Sequence, residues 1–101
     1  MATFYGGAQL VSVERLGPGD SIQVPSGQYA KIYYVLSIDD VNVGNLIVSI
    51  SVGSDSIRFE SAGVRANTVS GVAIGKSLET ISCSSLANTN AVASIEFYRN
   101  P

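Results

Sequence analysis

The chain contains no histidine and no tryptophan, and only one cysteine and one methionine. Without histidine, the commonest general base and metal ligand is missing, and with it every Ser-His or Cys-His nucleophile pair. Conventional hydrolase chemistry is disfavoured, and no catalytic, cofactor-binding or metal-binding residue is assigned. Cys83 stands alone, so no disulfide can close within the chain and an oxidising compartment is not indicated. Charge is also scarce: charged residues make up 14% of the chain and the net charge is −2. The two lysines and four arginines are scattered singly, whereas a nucleic-acid partner calls for clustered cations. Apolar runs such as "VASI" and "YYVL" fall far short of the ~20 residues of a membrane-spanning helix. The opening "MATFYGGAQLV" has neither a basic stretch nor a long apolar core, so no secretory signal is expected. No Asn-x-Ser/Thr acceptor occurs. Synthesis in a reducing cytoplasm is the simplest expectation.

What is present is an apolar chain with uncharged polar filling. Hydrophobic residues make up 46%, beside fifteen Ser, four Thr and six Asn. Such a balance suits a β protein with solvated Ser/Thr faces and argues against disorder. A length of 101 residues is expected to form one domain, burying roughly 60–65% of the surface its unfolded chain exposes.

Helical spacing is hard to find, whereas alternation with period two recurs wherever β-branched residues dominate. The pattern predicts strands over 8–15, 20–24, 28–38, 45–52, 56–60, 68–74, 78–84 and 91–99. In "QYAKIYYVLSI", Ala30, Ile32, Tyr34, Leu36 and Ile38 alternate with Tyr29, Lys31, Tyr33, Val35 and Ser37, and the charged Lys31 marks the second set as outward. "NLIVSISV" turns Leu46, Val48, Ile50 and Val52 inward against Asn45, Ile47, Ser49 and Ser51, and "AVASIEFY" turns Ala93, Ile95 and Phe97 inward against Ser94, Glu96 and Tyr98. "AQLVSVER" and "LETISCSS" are apolar in both sets, so their facing is open, though Cys83 and Ile81 fit the core better than water. Between the runs stand turn clusters: "LGPGD", "PSG", "DDVNVGN", "VGSD", "SAG" and "NTN". Many short strands at this spacing predict an all-β fold, a compact antiparallel β-sandwich, jelly-roll-like, with about eight strands.

Three stretches invite a functional reading. "DSIQVPSG" at 20–27 is echoed by "DSIRFESAG" at 55–63; in each, Asp begins a turn and Ile with Val24 or Phe59 faces one way, so the echo reads as strand grammar used twice. "GVAIGKS" at 71–77 imitates the end of a phosphate-binding loop, but Gly71 leaves three residues before Gly75-Lys76 where that loop needs four. The next residues, "LETISCSS", have the pattern of a strand, where a phosphate site needs a helix N-terminus. "DDVNVGN" at 39–45 resembles a fragment of a calcium loop but lacks the closing Glu. The eight acidic residues fall mostly at turns and outward positions, where solvation explains them better than the paired carboxylates of a glycosidase.

The remaining anomaly is apolar surface. Tyr29, Tyr33, Val35, Ile47, Val92 and Tyr98 all fall on outward sets, and a contiguous patch of that kind marks an interface. Tyrosine adds large contact area with a polar tip, which suits a protein or a glycan. These six form the candidate interface.

"PGDSIQVPSGQYAKIYYV" at 18–35 resembles a pattern of small bacteriophage virion proteins: a polar turn, a short strand, Val-Pro-x-Gly, then a long aromatic-rich strand. The resemblance covers about a fifth of the chain. It implies a non-catalytic virion structural protein, a capsid decoration or a tail- or fibre-associated β-sandwich, assembled in the host cytoplasm. It also implies a homo-oligomer, with a trimer favoured, bound to capsid or tail proteins. A module binding surface glycans through Tyr29, Tyr33 or Tyr98 is the alternative. No cofactor, nucleic acid or membrane span is expected.

Overall fold

The computed structural model describes residues 8–38, 47–60, 68–84 and 89–99. Eight strands run in order: β1 (Gln9–Leu16), β2 (Ser21–Gln23), β3 (Gln28–Ile38), β4 (Ile47–Val52), β5 (Asp55–Glu60), β6 (Thr68–Gly75), β7 (Thr80–Ser84) and β8 (Thr89–Arg99). They form two antiparallel sheets, ordered β1-β8-β3-β6 and β2-β7-β4-β5. First pairs with last, second with seventh, third with sixth and fourth with fifth, as in one long hairpin ribbon. Rolling that ribbon brings β3 beside β8 and β4 beside β7, which is the jelly-roll arrangement expected from the sequence.

The core lies between the sheets, where the inward sets meet. Ile32, Leu36 and Ile38 of β3, Val48 and Ile50 of β4, Ile81 of β7 and Ile95 of β8 are all at most 1% exposed. Truncating one of these, as in Ile95→Ala, removes buried methyl groups and leaves a cavity, at a cost of about 2–5 kcal/mol. The alternation read from β3, β4 and β8 holds throughout: Ala30, Val52, Ala93 and Phe97 are buried with them, while Lys31 and Ser94 face out. Leu46 and Asn45, like the calcium-loop fragment at 39–45, lie outside the described residues. The two ambiguous strands resolve by their neighbours. On β7, Ile81 and Cys83 point inward. On β1, a β-bulge at Val11 shifts the register between Leu10 and Ser12, so Leu10 and Val13 face solvent while Leu16 closes onto the core.

The repeated Asp-Ser-Ile segments become β2 and β5, the two outer strands of the same sheet. In both copies Ile22 or Ile57 packs against the core and Val24 or Phe59 is buried, with Gln23 and Arg58 exposed. The echo is therefore one task, an edge strand with an apolar inner side, performed at opposite edges of one sheet. "GVAIGKS" becomes the end of β6 and an exposed turn: the Lys76 N–H donates to Glu79 Oε1 at 2.7 Å, and the Gly27 N–H donates to Ser77 Oγ at 3.0 Å. No helix N-terminus is present there. In that turn Leu78 adopts φ 69°, a left-handed conformation uncommon outside glycine. Its N–H bonds to Val24 O and its own carbonyl accepts from Gln23 Nε2.

The inner side of β6 carries Val69 at one end and then only small residues, Gly71, Ala73 and Gly75. Tyr34, directly opposite Gly71 in the register, lays its ring across that glycine. A Cβ at Gly71 would come within 2.8 Å of the ring carbon bearing the hydroxyl, so one of the two must move. Gly71→Ala is expected to destabilise by about 1–3 kcal/mol in urea unfolding, and Tyr34→Leu in the same chain should recover part of that loss. Equal costs with and without the ring would contradict the packing. Burial, followed by the charge of Asp20, raises the pKa of the Cys83 thiol above its ordinary value. Cys83 should accordingly resist a thiol reagent at neutral pH in the folded chain and react fully in denaturant.

Candidate functional site

The outward residues of the β1-β8-β3-β6 sheet line up in rows across the strands. One row runs Val13, Glu96, Lys31, Ile74, and the next runs Arg15, Ser94, Tyr33, Val72. Beyond these, Val92 stands opposite Val35, and Val35 opposite Ser70; towards the other end Leu10, Tyr98 and Tyr29 form a further row. Much of this surface is greasy and open to solvent. Val72 is 55% exposed, Ile74 54% and Val13 53%, with Tyr33 and Val35 both at 39%. A shallow trough of about 600 Å³, lined largely by apolar surface, runs along it between Arg15, Tyr33, Val35, Val92 and Ser94.

Five of the six residues expected at an interface from the sequence share this face: Tyr29, Tyr33, Val35, Val92 and Tyr98. Ile47 does not. It sits on β4, on the outside of the opposite sheet, paired with Glu60 of β5. Tyr29 and Tyr98 are half-buried because they cover each other, stacked with ring centroids 5.4 Å apart and 17° between planes. Leu10, Val13, Val72 and Ile74 belong to the same face but were not among the six. Over 71–75 of β6 the larger apolar residues, Val72 and Ile74, point outward while Gly71, Ala73 and Gly75 point in, the reverse of the usual rule. "TVSGVAIG" carries that signal in its alternation of small and large residues.

Glu96 organises the polar part of the face. Its Oε1 accepts the Tyr33 hydroxyl at 3.0 Å and the Tyr98 hydroxyl at 2.9 Å, and Lys31 and Val13 flank it in the register. The pKa of the Tyr98 phenol is raised, first by its hydrogen bond to Glu96, then by burial, then by the charge of Glu96 and the neighbouring tyrosines Tyr33 and Tyr29. The protonated phenol is the favoured partner of the carboxylate. Its contribution is therefore complete below the usual tyrosine value near 10 and is lost as pH climbs through the raised folded value.

A second concavity, about 280 Å³, opens between β5 and β6 and is lined by Val52, Asp55, Ile57, Ala73, Ile74, Lys76 and Glu79. Asp55 and Glu79 are the acidic residues there, and Glu79 Oε1 is held by the Lys76 backbone, a turn-forming role. Among the described residues no group of three or more Cys, Asp or Glu side chains is placed to hold a metal ion. No described helix is long and apolar enough to cross a membrane. No protein-family model, no curated protein and no solved structure matches the chain.

Spectrophotometric titration checks the Tyr33–Glu96–Tyr98 arrangement. The tyrosine signal that Tyr98→Phe removes should titrate above the ordinary tyrosine value, and Glu96→Gln should bring it back towards that value. A Tyr98 signal that Glu96→Gln leaves in place would contradict the assignment.

Proposed function

We propose that this chain is a non-catalytic structural component of a virus particle, a capsid decoration or tail-associated protein that self-associates and attaches to a larger scaffold through the outer face of the β1-β8-β3-β6 sheet. The observation that carries the reading is the exposure of Val13, Tyr33, Val35, Val72, Ile74 and Val92 on one face. Scattered exposed apolar residues need no explanation, but a continuous patch of large ones does. The Val-Pro-x-Gly and aromatic-strand pattern at 18–35 supports a virion setting and assembly in a host cytoplasm. Jelly rolls serve both as capsid proteins and as lectins, so the architecture suits this reading without selecting it.

Shape supports it as well. The radius of gyration is 15.2 Å and the extents are 52 × 21 × 18 Å, whereas a globular chain of this length has a radius of ~13 Å. A long, thin sandwich exposes a large fraction of each sheet, and its broad side is large enough for a standard protein interface of about 800 Å² per partner.

Glycan binding is the second reading, and the Tyr29–Tyr98 stack beside Glu96 favours it, since aromatic rings next to a carboxylate suit sugar rings and hydroxyls. The two readings separate experimentally. Tyr33→Ser should leave the circular dichroism spectrum and melting profile intact while raising the dissociation constant for self-association about tenfold or more, measured by light scattering over a dilution series. An unchanged subunit count removes Tyr33 from the contact. A monomer whose melting temperature rises with one sugar of a calorimetric panel supports the lectin instead.

A further inference from the structure

We propose that two copies of this chain join edge to edge along β6, as an antiparallel strand pair about a two-fold axis with Val72 of one copy opposite Val72 of the other. This deepens the proposed function by fixing the partner, the strand and the symmetry, and it rests on that function only in requiring self-association.

An open sheet edge offers unpaired N–H and C=O groups to any matching strand, unless charge, proline, a bulge or shortness blunts it. The sandwich has four edge strands: β1 and β6 in one sheet, β2 and β5 in the other. β1 carries the bulge at Val11 together with Glu14 and Arg15. β2 is three residues long and is soon followed by Pro25. β5 carries Asp55, Arg58 and Glu60, the last two ion-paired at 3.2 Å. β6 has none of these devices. Its eight residues, TVSGVAIG, hold no charge and no proline, and its register with β3 runs unbroken from Ala30↔Gly75 to Ser37↔Thr68.

With β6 the single unguarded edge among the described residues, the matching edge on another copy is β6 again. Antiparallel pairing of a strand with itself is a two-fold operation, so assemblies built on this contact hold an even number of chains. An axis perpendicular to the sheet keeps both outer faces on one side, and outward residues then oppose outward residues. Centring the register on Val72 sets Ser70 against Ile74 and Thr68 against Lys76, with no like charges opposed. On the inner side Ala73 meets Gly71, both small, so no bulky group projects into the gap that β5 shares with Ala73 and Ile74. The row Arg15, Ser94, Tyr33, Val72 then continues directly into Val72 and Tyr33 of the second copy. Two four-stranded sheets become one of eight strands with a doubled apolar face.

Val72→Cys and Val13→Cys in the full chain test this. Val13 is equally exposed, 53% against 55%, on the same face but at the opposite edge. Opposed residues in an antiparallel pair have Cα atoms about 4.5–5.5 Å apart, within disulfide reach, and the chain's own Cys83 is buried. After mild oxidation V72C should run as a covalent dimer on a non-reducing gel, and V13C should not. Val72→Lys places two like charges at the axis and should lose the dimer in sedimentation equilibrium, with its melting profile retained. A trimer, or cross-linking of V13C as complete as that of V72C, overturns the edge contact and leaves self-association standing. A parent chain that shows no self-association overturns both.

Discussion

The pairing of β3 with β8 is the contact on which the rest of the molecule depends. Both strands are eleven residues long and they match along their whole length, from Gln28↔Arg99 to Ile38↔Thr89. Alternation along that pair commits Ala30, Ile32, Leu36, Ala91, Ala93, Ile95 and Phe97 to the interior. The same alternation leaves Tyr29, Tyr33, Val35, Val92 and Tyr98 no place except the opposite face. Slipping the register by one residue would bury Lys31 and Glu96 and expose the isoleucines. The apolar outer face is thus a by-product that the core cannot remove, and β1 and β6 widen it with Val13, Val72 and Ile74.

Most of this architecture is legible from residues alone, because period-two alternation identifies faces and turn chemistry identifies ends. Strands expected at 28–38 and 68–74 fall at Gln28–Ile38 and Thr68–Gly75, and the inward sets of β3, β4 and β8 are as the charged and apolar residues imply. Strand order was not legible, since alternation says which way a residue faces and not what lies beside it. For that reason Ile47 groups with the tyrosines by pattern but sits on the other sheet. β1 was opaque for a different reason: the bulge at Val11 resets the alternation midway, so apolar residues fall in both sets. β6 was expected as a strand with no facing assigned, and the Tyr34 ring lying over Gly71 and the core side chains against Gly75 show why small residues belong there.

The echoed segments place the surface chemistry in context. Each became an edge of the β2-β7-β4-β5 sheet, one kept to three residues and one laced with charge. The other sheet treats its edges unequally, with a bulged and charged β1 on one side and an uncharged, regular β6 on the other. Edges left open by default tend to aggregate, so an unguarded edge continuous with the only broad apolar face among the described residues reads as a site of controlled assembly. Glu96 supplies the polar counterpart, accepting hydrogen bonds from the hydroxyls of both Tyr33 and Tyr98.

Light scattering on the unmodified chain, followed from micromolar to millimolar concentration, tests the central claim most directly. If the β6 edge is covered by a second copy, the measured mass rises from 10.5 kDa to twice that value or an even multiple of it. A mass that stays at 10.5 kDa across the whole range contradicts the account.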